Sequence, residues 1–360
     1  MAVIVILGAG MMGSALAVPL ADRGHEVRLV GTHLDVEIVD RMAHDGVHPK
    51  LGIELPRSIR PHRLEQLPDA AREADAIALG VSSAGIPFAI EHVAPLVRPG
   101  MPLFMITKGL VLDGGRLATL PDVVQAGLPE AVRAHVHPAA IAGPCIAGEL
   151  ARRVPTCVLV AGRDDAANRA VAELARGPYY HLFPTTDVWG AEVSAALKNA
   201  YAMGIAFALG LHDLSLPPDA RSATGAAPRS IAMHNLESAT MAQAIVEMRS
   251  IARHLGGKET TVAGLAGVGD LDVTTNGGRT GRFGRLLGLG LGRAESIERM
   301  QGATLECLEI LDVLRRAADQ GALGPRGLAK YPLLEHMIAV ALDDAPVDLP
   351  LARFFAEPDA

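Results

Sequence analysis

The chain has 360 residues, of which 49% are hydrophobic and 20% are charged, and its formal net charge is −7. Such a length suggests about two domains, each with enough apolar residues to bury a core. The acidic balance argues against a dedicated nucleic-acid binder. No apolar run reaches the ~20 uninterrupted residues that a membrane span requires.

The cysteines and the N-terminus bear on the cellular compartment. Cys145, Cys157 and Cys307 are widely spaced and form no CxxC pair, which excludes a disulfide framework and indicates buried cysteines in a reducing compartment. The apolar run Ala2–Leu7 has no basic segment before it and leads directly into Gly8, so it predicts a strand rather than a signal peptide. We therefore expect a cytoplasmic protein with no membrane insertion and no metal site.

The first half of the chain alternates short β-rich runs with segments of helical periodicity. Segments such as Ser14–Arg23 and Ile86–Leu96 have the spacing of helices. This alternation predicts a mainly parallel, doubly wound sheet. The predicted strands are Ala2–Leu7, Glu26–Val30, Ala76–Val81, Pro102–Thr107, Ala139–Ala142 and Thr156–Ala161.

Strand signals almost vanish after about Gly190. The predicted helices there are Ala191–Leu211, Ala239–Leu255, Ile297–Gln320 and Leu333–Leu342. The fold class is therefore predicted as α/β, with a Rossmann-type doubly wound domain at residues 1–190 and an all-α substrate or catalytic domain at residues 191–360. The segment Ser215–Pro228, rich in Pro, Ala, Ser and Gly, predicts a loop between two helices, of a length typical of functional lids.

The run Gly8-Ala9-Gly10-Met11-Met12-Gly13 matches GxGxxG between a predicted strand and a predicted helix. Gly8 permits a tight turn, Gly10 lets the backbone approach a pyrophosphate, and Gly13 allows close packing of the helix on the strand. The helix N-terminus offers free N–H groups to the phosphates. The pattern predicts a bound dinucleotide rather than a ligand-free turn.

The choice between NAD and NADP stays open in the sequence. NAD-specific domains usually carry an acid at the end of the second strand, about twenty residues after the glycines. Here Val30–Leu34 contains none before Asp35, Thr32 could donate to a 2′-phosphate, and no Arg is present. NADP is slightly favoured.

Hydride reduction of a ketone needs a proton donor and a clamp on the substrate. Lys108 follows a predicted strand, at the sheet edge where ligands bind. Lys198 and Asn199 lie within an apolar helix, where partial desolvation lowers the pKa of a lysine. Asp270 and Thr274 come next, followed by Gly277-Gly278-Arg279-Thr280, where a guanidinium beside glycines suits phosphate binding. Solvated charges, a snorkelling lysine or a helix cap are the alternative interpretations of these residues.

Taken together, these segments resemble the NAD(P)-dependent sn-glycerol-3-phosphate dehydrogenase family. The resemblance extends from residue 3 to about 310. It is carried by GAGMMG, ITKGL, Gly143-Pro144 with Gly148-Glu149-Leu150, LKNAYA at 197–202, GVGDL at 267–271, GGRTGRFG at 277–284 and Glu306.

The resemblance implies a small phosphorylated substrate, namely dihydroxyacetone phosphate reduced reversibly to glycerol 3-phosphate by NAD(P)H, and a homodimer. Lys198 would be the general acid/base, and Lys108 would orient the carbonyl. Asn199, Asp270 and Thr274 would bond substrate hydroxyls or position Lys198, and Arg279, with Thr280, would bind the phosphate. The cofactor would contact Gly8, Gly10, Met11, Met12, Gly13, Thr32, Lys108, Ala142, Arg279 and Glu306.

Some positions depart from the family pattern. Thr280 replaces an Asn, Met11-Met12 replace an aromatic, and a longer Leu211–Pro228 excursion precedes His234–Glu237, which lacks the usual cation. Another phosphorylated ketose or polyol phosphate therefore stays open as the substrate, as do a ketopantoate reductase or opine dehydrogenase activity and a non-catalytic dinucleotide sensor. His212, Asp213 and His234 fit no metal-ligand spacing and are interpreted as polar loop residues.

Overall fold

The computed structural model describes residues 1–216, 233–276 and 278–356. The chain forms two compact units, one of Met1–Gly109 with Thr119–Glu192 and one of Leu110–Ala118 with Val193–Ala360. The predicted domain limits, 1–190 and 191–360, stay a prediction. Most of the predicted loop Ser215–Pro228 lies outside the described residues.

An eight-stranded sheet organises the first unit, and two short hairpins, β3–β4 and β8–β9, lie apart from it. The strands are β1 (Val3–Leu7), β2 (Glu26–Val30), β3 (Val47–His48), β4 (Ile53–Glu54), β5 (Ile59–His62), β6 (Ala76–Leu79), β7 (Leu103–Met105), β8 (Leu110–Asp113), β9 (Arg116–Thr119), β10 (Ala139–Ala142), β11 (Thr156–Gly162) and β12 (Tyr180–Thr185).

The large sheet runs β12-β11-β10-β7-β6-β1-β2-β5. Its pairs are parallel except β10 with β11. From β5 to β10 this is the strand order of a dinucleotide-binding Rossmann sheet, which confirms the predicted fold class. The order reverses beside β1, so the glycine-rich segment after β1 lies where such sheets bind ligands.

All six predicted strands are present, within two residues at each end. Of the large sheet, the sequence analysis missed β5 and β12, which both contain a proline, Pro61 and Pro184, and it also missed the four short strands of the two hairpins. Proline cannot donate to a strand ladder and is confined to sheet edges. These two strands are the outermost ones of the large sheet, and an edge strand tolerates a proline because one of its sides forms no ladder.

Helices cover the sheet and make up nearly all of the second unit. They are α1 (Met11–Asp22), α2 (Val36–Asp45), α3 (Leu67–Ala71), α4 (Ile86–Val93), α5 (Leu120–Gly127), α6 (Glu130–Arg133), α7 (Ala147–Ala151), α8 (Asp165–Ala175), α9 (Val188–Ser215), α10 (His234–His254), α11 (Glu259–Val262), α12 (Asp270–Thr275), α13 (Arg279–Gly288), α14 (Arg293–Arg299), α15 (Glu306–Asp319) and α16 (Pro332–Asp343).

Two helix predictions need correction. The single helix expected at Ile297–Gln320 is two helices, α14 and α15, because Gln301 and Gly302 both have positive φ, 52° and 74°, and break the first one. His212 and Asp213 belong to α9 rather than to a loop, and His234 begins α10. No helix among the described residues is long and apolar enough to span a membrane.

Within the second unit, α9 and α13 cross at very short range through glycines. A Cβ at Gly284 would lie 2.1 Å from the carbonyl oxygen of Met203, and one at Gly288 would lie 2.5 Å from that of Phe207. A buried bidentate ion pair between Arg285 and Asp213, with N–O distances of 2.5 and 2.8 Å, adds a polar tie. These contacts fix the two helices that carry Lys198 and Arg279.

In the first unit the buried carboxyl group of Glu192 contacts the backbone on both sides of the segment that belongs to the second unit. Glu192 is the last residue of the first unit, and Gly109 and Thr119 flank the excursion Leu110–Ala118. The Glu192 carboxyl group is fully buried and accepts hydrogen bonds from the backbone N–H groups of Leu120, at 3.4 Å, and Gly109. Burial raises the pKa of Glu192 to about 8, although these bonds and the Lys108 charge lower it.

The glycine crossing predicts opposite effects for two alanine substitutions in α13. Gly284→Ala places a methyl group against backbone atoms that cannot give way, and should destabilise the protein by at least ~1–3 kcal/mol. Gly281, whose Cβ would meet nothing closer than 3.8 Å, is the matched control, because Gly281→Ala should stabilise the helix by up to ~1 kcal/mol. Urea unfolding measures both, and equal stabilities for the two variants would contradict the packing argument.

The Glu192 carboxyl predicts a pH-dependent stability. The folded protein holds this proton up to about pH 8, whereas an unfolded glutamate releases it near its ordinary pKa of ~4.3. The folded state therefore binds more protons in between, and the unfolding free energy falls as the pH rises through this window, by up to ~1.4 kcal/mol per pH unit.

Glu192→Gln should remove this dependence, because the amide does not titrate and its oxygen can still accept from Leu120. Unfolding at several values between pH 5 and 8 measures the slope, with the exposed Glu91 changed to Gln as the control. A wild-type slope that persists in Glu192→Gln would rule out this carboxyl as its source.

Candidate functional site

The glycine-rich turn after β1 is built from backbone packed against backbone. Gly8 has φ +114°, and a Cβ there would lie 2.6 Å from the carbonyl carbon of Gly80 at the end of β6. A Cβ at Gly13 would lie 2.1 Å from the carbonyl oxygen of Gly8, so α1 can begin this close to β1 only with glycine at that position. A Cβ at Gly10, in contrast, would meet no atom within 4 Å. The turn therefore leaves open the side from which a phosphate would approach, and it fits a dinucleotide.

Two side chains that the sequence analysis did not assign brace this turn. The Asp35 Oδ2 accepts from the backbone N–H of Ala9 at 3.2 Å, and the ring Nε2 of the buried His48 lies 3.2 Å from the Ala9 carbonyl oxygen. Burial lowers the pKa of His48, although the Ala9 carbonyl raises it, so its ring is held neutral at the bottom of the turn. The position of Asp35 shortly after β2 could have indicated its role, whereas no sequence pattern pointed to His48.

The structure changes the interpretation of the end of β2. The Asp35 Oδ2 also accepts from the backbone N–H of Thr32 at 2.9 Å and from the Thr32 hydroxyl at 2.8 Å. The sequence analysis noted no acid before Asp35 and offered the Thr32 hydroxyl to a 2′-phosphate. In the structure a carboxylate lies at the end of the strand, and the hydroxyl donates to it.

Lys108 follows β7 at the carboxyl end of the sheet, as the sequence predicted. Its ammonium donates to the carbonyl oxygen of Gly143 at 3.2 Å, just after β10 and the fully buried Ala142. The preceding Thr107 donates through its hydroxyl to the Val81 carbonyl at 2.7 Å. Hydrogen bonds to backbone carbonyls that follow the two neighbouring strands thus hold Thr107 and Lys108 in place. The Lys108 side chain is half-buried.

In the second unit Lys198 and Asp270 form a buried ion pair. The Lys198 Nζ lies 2.5 Å from Asp270 Oδ1, and the two side chains are 14% and 1% exposed. Asp270 begins α12 directly after a π-helical turn at Leu265–Gly269, in which a Cβ at Gly267 would lie 1.9 Å from the Val262 carbonyl oxygen. Such turns often occur at functional sites, and this one directs Asp270 at α9.

The neighbouring polar residues have partners in the same unit. The Thr274 hydroxyl donates to the backbone carbonyl of Asp270 at 2.6 Å, one turn earlier in α12. The Asn199 amide donates to Glu306 Oε2 at 2.8 Å, which joins the helix of Lys198 to α15. The structure thus brings together four of the predicted residues, Lys198, Asp270, Asn199 and Glu306, as two hydrogen-bonded pairs.

Arg279 is an exposed cation at the first residue of α13. It follows Gly278, whose φ of +111° suits glycine alone, and Gly277 lies outside the described residues. Arg279 forms no ion pair with any residue in the described part of the chain. Thr280, next in the helix, is 9% exposed. A guanidinium at a helix N-terminus can bind a phosphate.

The described residues hold no group of three or more His, Cys, Asp or Glu side chains that could bind a metal ion. The three cysteines form no disulfide. Burial raises the pKa of Cys307 to about 12, so this thiol is not a nucleophile at neutral pH.

Comparisons with known proteins agree with this arrangement. The NAD-dependent glycerol-3-phosphate dehydrogenase N-terminus matches residues 3–168, and the corresponding C-terminus matches residues 187–351. The chain is 34% identical over 299 residues to an NADP(+)-dependent glycerol-3-phosphate dehydrogenase of Archaeoglobus fulgidus, covering 83% of this chain and 84% of that protein.

Further relatives cover nearly the whole chain. A glycerol-3-phosphate dehydrogenase [NAD(P)+] of Geobacter metallireducens is 30% identical, over 95% of this chain and 93% of that protein. The crystal structure of glycerol-3-phosphate dehydrogenase from Coxiella burnetii superposes with a TM-score of 0.77 at 27% identity, covering 95% of each chain. The chain belongs to the NAD-dependent glycerol-3-phosphate dehydrogenase family.

Proposed function

We propose that this protein interconverts dihydroxyacetone phosphate and sn-glycerol 3-phosphate with NAD(P)H, using Lys198 as the general acid/base. The observation that carries the proposal is the buried Lys198–Asp270 ion pair, with an N–O distance of 2.5 Å. It holds a proton donor in one orientation beside the fully buried Leu197 and Ala200 of α9. The family membership supports the reaction, and the geometry supports the roles of the residues.

The cofactor supplies the hydride when it is bound. Gly8, Gly10 and Gly13 would let its pyrophosphate reach the N-terminus of α1, with Met11 and Met12 in the first turn. Thr32, Lys108, Ala142, Arg279 and Glu306 stay proposed cofactor contacts. Because the Asp35 carboxylate lies beside the turn and engages Thr32, it would repel a 2′-phosphate. We therefore expect NADH to be used better than NADPH, which reverses the preference taken from the sequence.

The proton needed at the ketone oxygen would come from Lys198. As negative charge develops on that oxygen, the ammonium stabilises it and then donates its proton. Asp270 would act as a positioning residue, because its carboxylate already accepts from the ammonium and fixes its direction. Thr274 would support Asp270 through the backbone of α12, and Asn199 would bond a substrate hydroxyl after exchange from Glu306.

The remaining cations would bind the substrate. Arg279, exposed at the start of α13, would bind the phosphate together with backbone N–H groups of that helix and the Thr280 hydroxyl. Lys108 would bond the carbonyl oxygen and keep the ketone polarised. The homodimer and the cytoplasmic location expected from the sequence stay predictions, and the mass of the protein in solution tests the first of them.

Lys198→Met should lower kcat by about 10²–10⁴-fold while dinucleotide binding is retained. It also leaves the Asp270 charge buried without its partner, which should cost ~3–5 kcal/mol of stability. The double variant Lys198→Met/Asp270→Asn carries neither charge, so it should recover stability but not activity. Rates at 340 nm and thermal unfolding separate the two effects, and recovery of activity in the double variant would show that Lys198 is only structural.

Arg279→Ala should raise the KM for dihydroxyacetone phosphate by about 10–100-fold, because one charge-assisted hydrogen-bonding group is lost. At a saturating concentration of NADH, the rate with unphosphorylated dihydroxyacetone should change much less. Arg293→Ala is the matched control, since Arg293 also follows a glycine and begins a helix, α14, in the same unit.

The assay should include NADH and NADPH, and other phosphorylated ketoses beside dihydroxyacetone phosphate. Faster turnover of another phosphorylated ketose would mean that the substrate is a different member of the same chemical class. Turnover of unphosphorylated keto acids alone would overturn the proposed function.

A further inference from the structure

The segment that carries Lys108 is held at three consecutive residues. The Thr107 hydroxyl and the Lys108 ammonium each donate to a backbone carbonyl, at 2.7 and 3.2 Å. The backbone N–H of Gly109 donates to the buried carboxyl group of Glu192. Backbone carbonyls do not titrate, so Glu192 is the member of these three acceptors whose charge can change. The roles proposed above do not use it.

The surroundings of Glu192 suit an uncharged acid. The residue is 0% exposed. Its Oε2 accepts from the backbone N–H of Leu120 at 3.4 Å, which is a long bond, and its Oε1 makes no hydrogen bond of ordinary geometry with any of the described residues. An ionised carboxylate in a protein interior is costly unless hydrogen bonds and a partner charge compensate it. The weak set of donors therefore favours the protonated form.

The charged groups that act on Glu192 are Lys108 and Asp122. Burial raises the pKa of Glu192 to about 8, and the charge of Asp122, on α5, raises it further, whereas the backbone hydrogen bonds and the charge of Lys108 lower it. Asp122 is itself paired with Arg163 at 2.6 Å. Burial thus outweighs the nearby ammonium, and the acid keeps its proton at neutral pH.

The proton on Glu192 matters because of what Lys108 is proposed to do. An ammonium that bonds the carbonyl oxygen of an anionic substrate acts through its positive charge. A carboxylate beside it would attract the ammonium and offset that charge, and such an interaction is several times stronger in a buried place than in water. The uncharged acid can hold the backbone without competing with the substrate.

We propose that Glu192 is a positioning residue for Lys108 and that it acts in its uncharged form, holding the backbone of Gly109 without drawing the ammonium away from the substrate. This inference rests on the proposed role of Lys108 in binding the ketone. It makes the affinity for the substrate sensitive to alkaline pH, because loss of the Glu192 proton places a negative charge beside Lys108.

The test compares the wild type with Glu192→Gln, whose amide stays uncharged at every pH and can still accept from Gly109. At pH 7 the two proteins should have similar KM values for dihydroxyacetone phosphate. Between pH 7 and 9 the KM of the wild type should rise by about threefold to tenfold more than that of the variant. The substrate phosphate, with a second pKa of ~6, stays dianionic in this range, and Lys198 titrates in both proteins.

Three controls isolate the Glu192 charge. In a Lys108→Met background the difference between Glu and Gln at position 192 should disappear, because the group on which the charge acts is absent. The exposed Glu91, changed to Gln, should leave the pH profile of the wild type in place. Thermal unfolding at each pH separates a loss of affinity from a loss of fold.

The uncharged state can also be observed without substrate. At pH 7 the wild type should show the infrared absorption of a protonated carboxyl group, and Glu192→Gln should lack it. Absence of this band from the wild type would overturn the proposal, as would identical pH profiles of KM in the wild type and Glu192→Gln.

The positioning role has its own variant. Glu192→Met removes the acceptor of Gly109 and should lower kcat/KM at pH 7 by about threefold to tenfold, and an unchanged kcat/KM would contradict positioning. If this variant does not fold, the comparison of the wild type with Glu192→Gln decides. A wild type that turns over no dihydroxyacetone phosphate at any pH would instead contradict the proposed function.

Discussion

The chemistry assigned to this protein depends on one buried charge pair. Lys198 lies beside buried apolar residues of α9, where an isolated ammonium would be costly, and Asp270 is 1% exposed, where an isolated carboxylate would be costlier still. Each group is tolerated because the other is 2.5 Å away. The pair therefore fixes the orientation of α12 against α9, and it holds a proton donor ready without reorganisation when charge develops on a substrate.

Both units use glycine in the same physical way, to bring backbone within contact distance of backbone. In the first unit Gly8 and Gly13 allow α1 to start directly on the sheet beside Gly80. In the second unit Gly284 and Gly288 allow α13 to cross α9 at short range. A side chain at any of these four positions would push the elements apart and displace the groups that they carry.

The sequence analysis predicted the fold class correctly and named candidate residues, but it did not identify most of the hydrogen bonds that hold the site together. Lys198, Asp270 and Arg279 stood out because charge within apolar or glycine-rich sequence is unusual. The bracing roles of Asp35 and His48 at Ala9 were not recognised, because the residues they hold are 26 and 39 positions away. Hydrogen bonds of this kind leave no periodic signal, whereas helices, strands and glycine turns are local and do.

The sequence by itself determined the alternation of strands and helices, the glycine turn and the residue types able to carry hydride and phosphate chemistry, since these follow from local periodicity and from what each side chain can do. Only the tertiary structure decided how the charges are used. It placed the Asp35 carboxylate at the end of β2 and paired Lys198 with Asp270. Electrostatic energy depends on distance and burial, and both arise only when distant segments pack together.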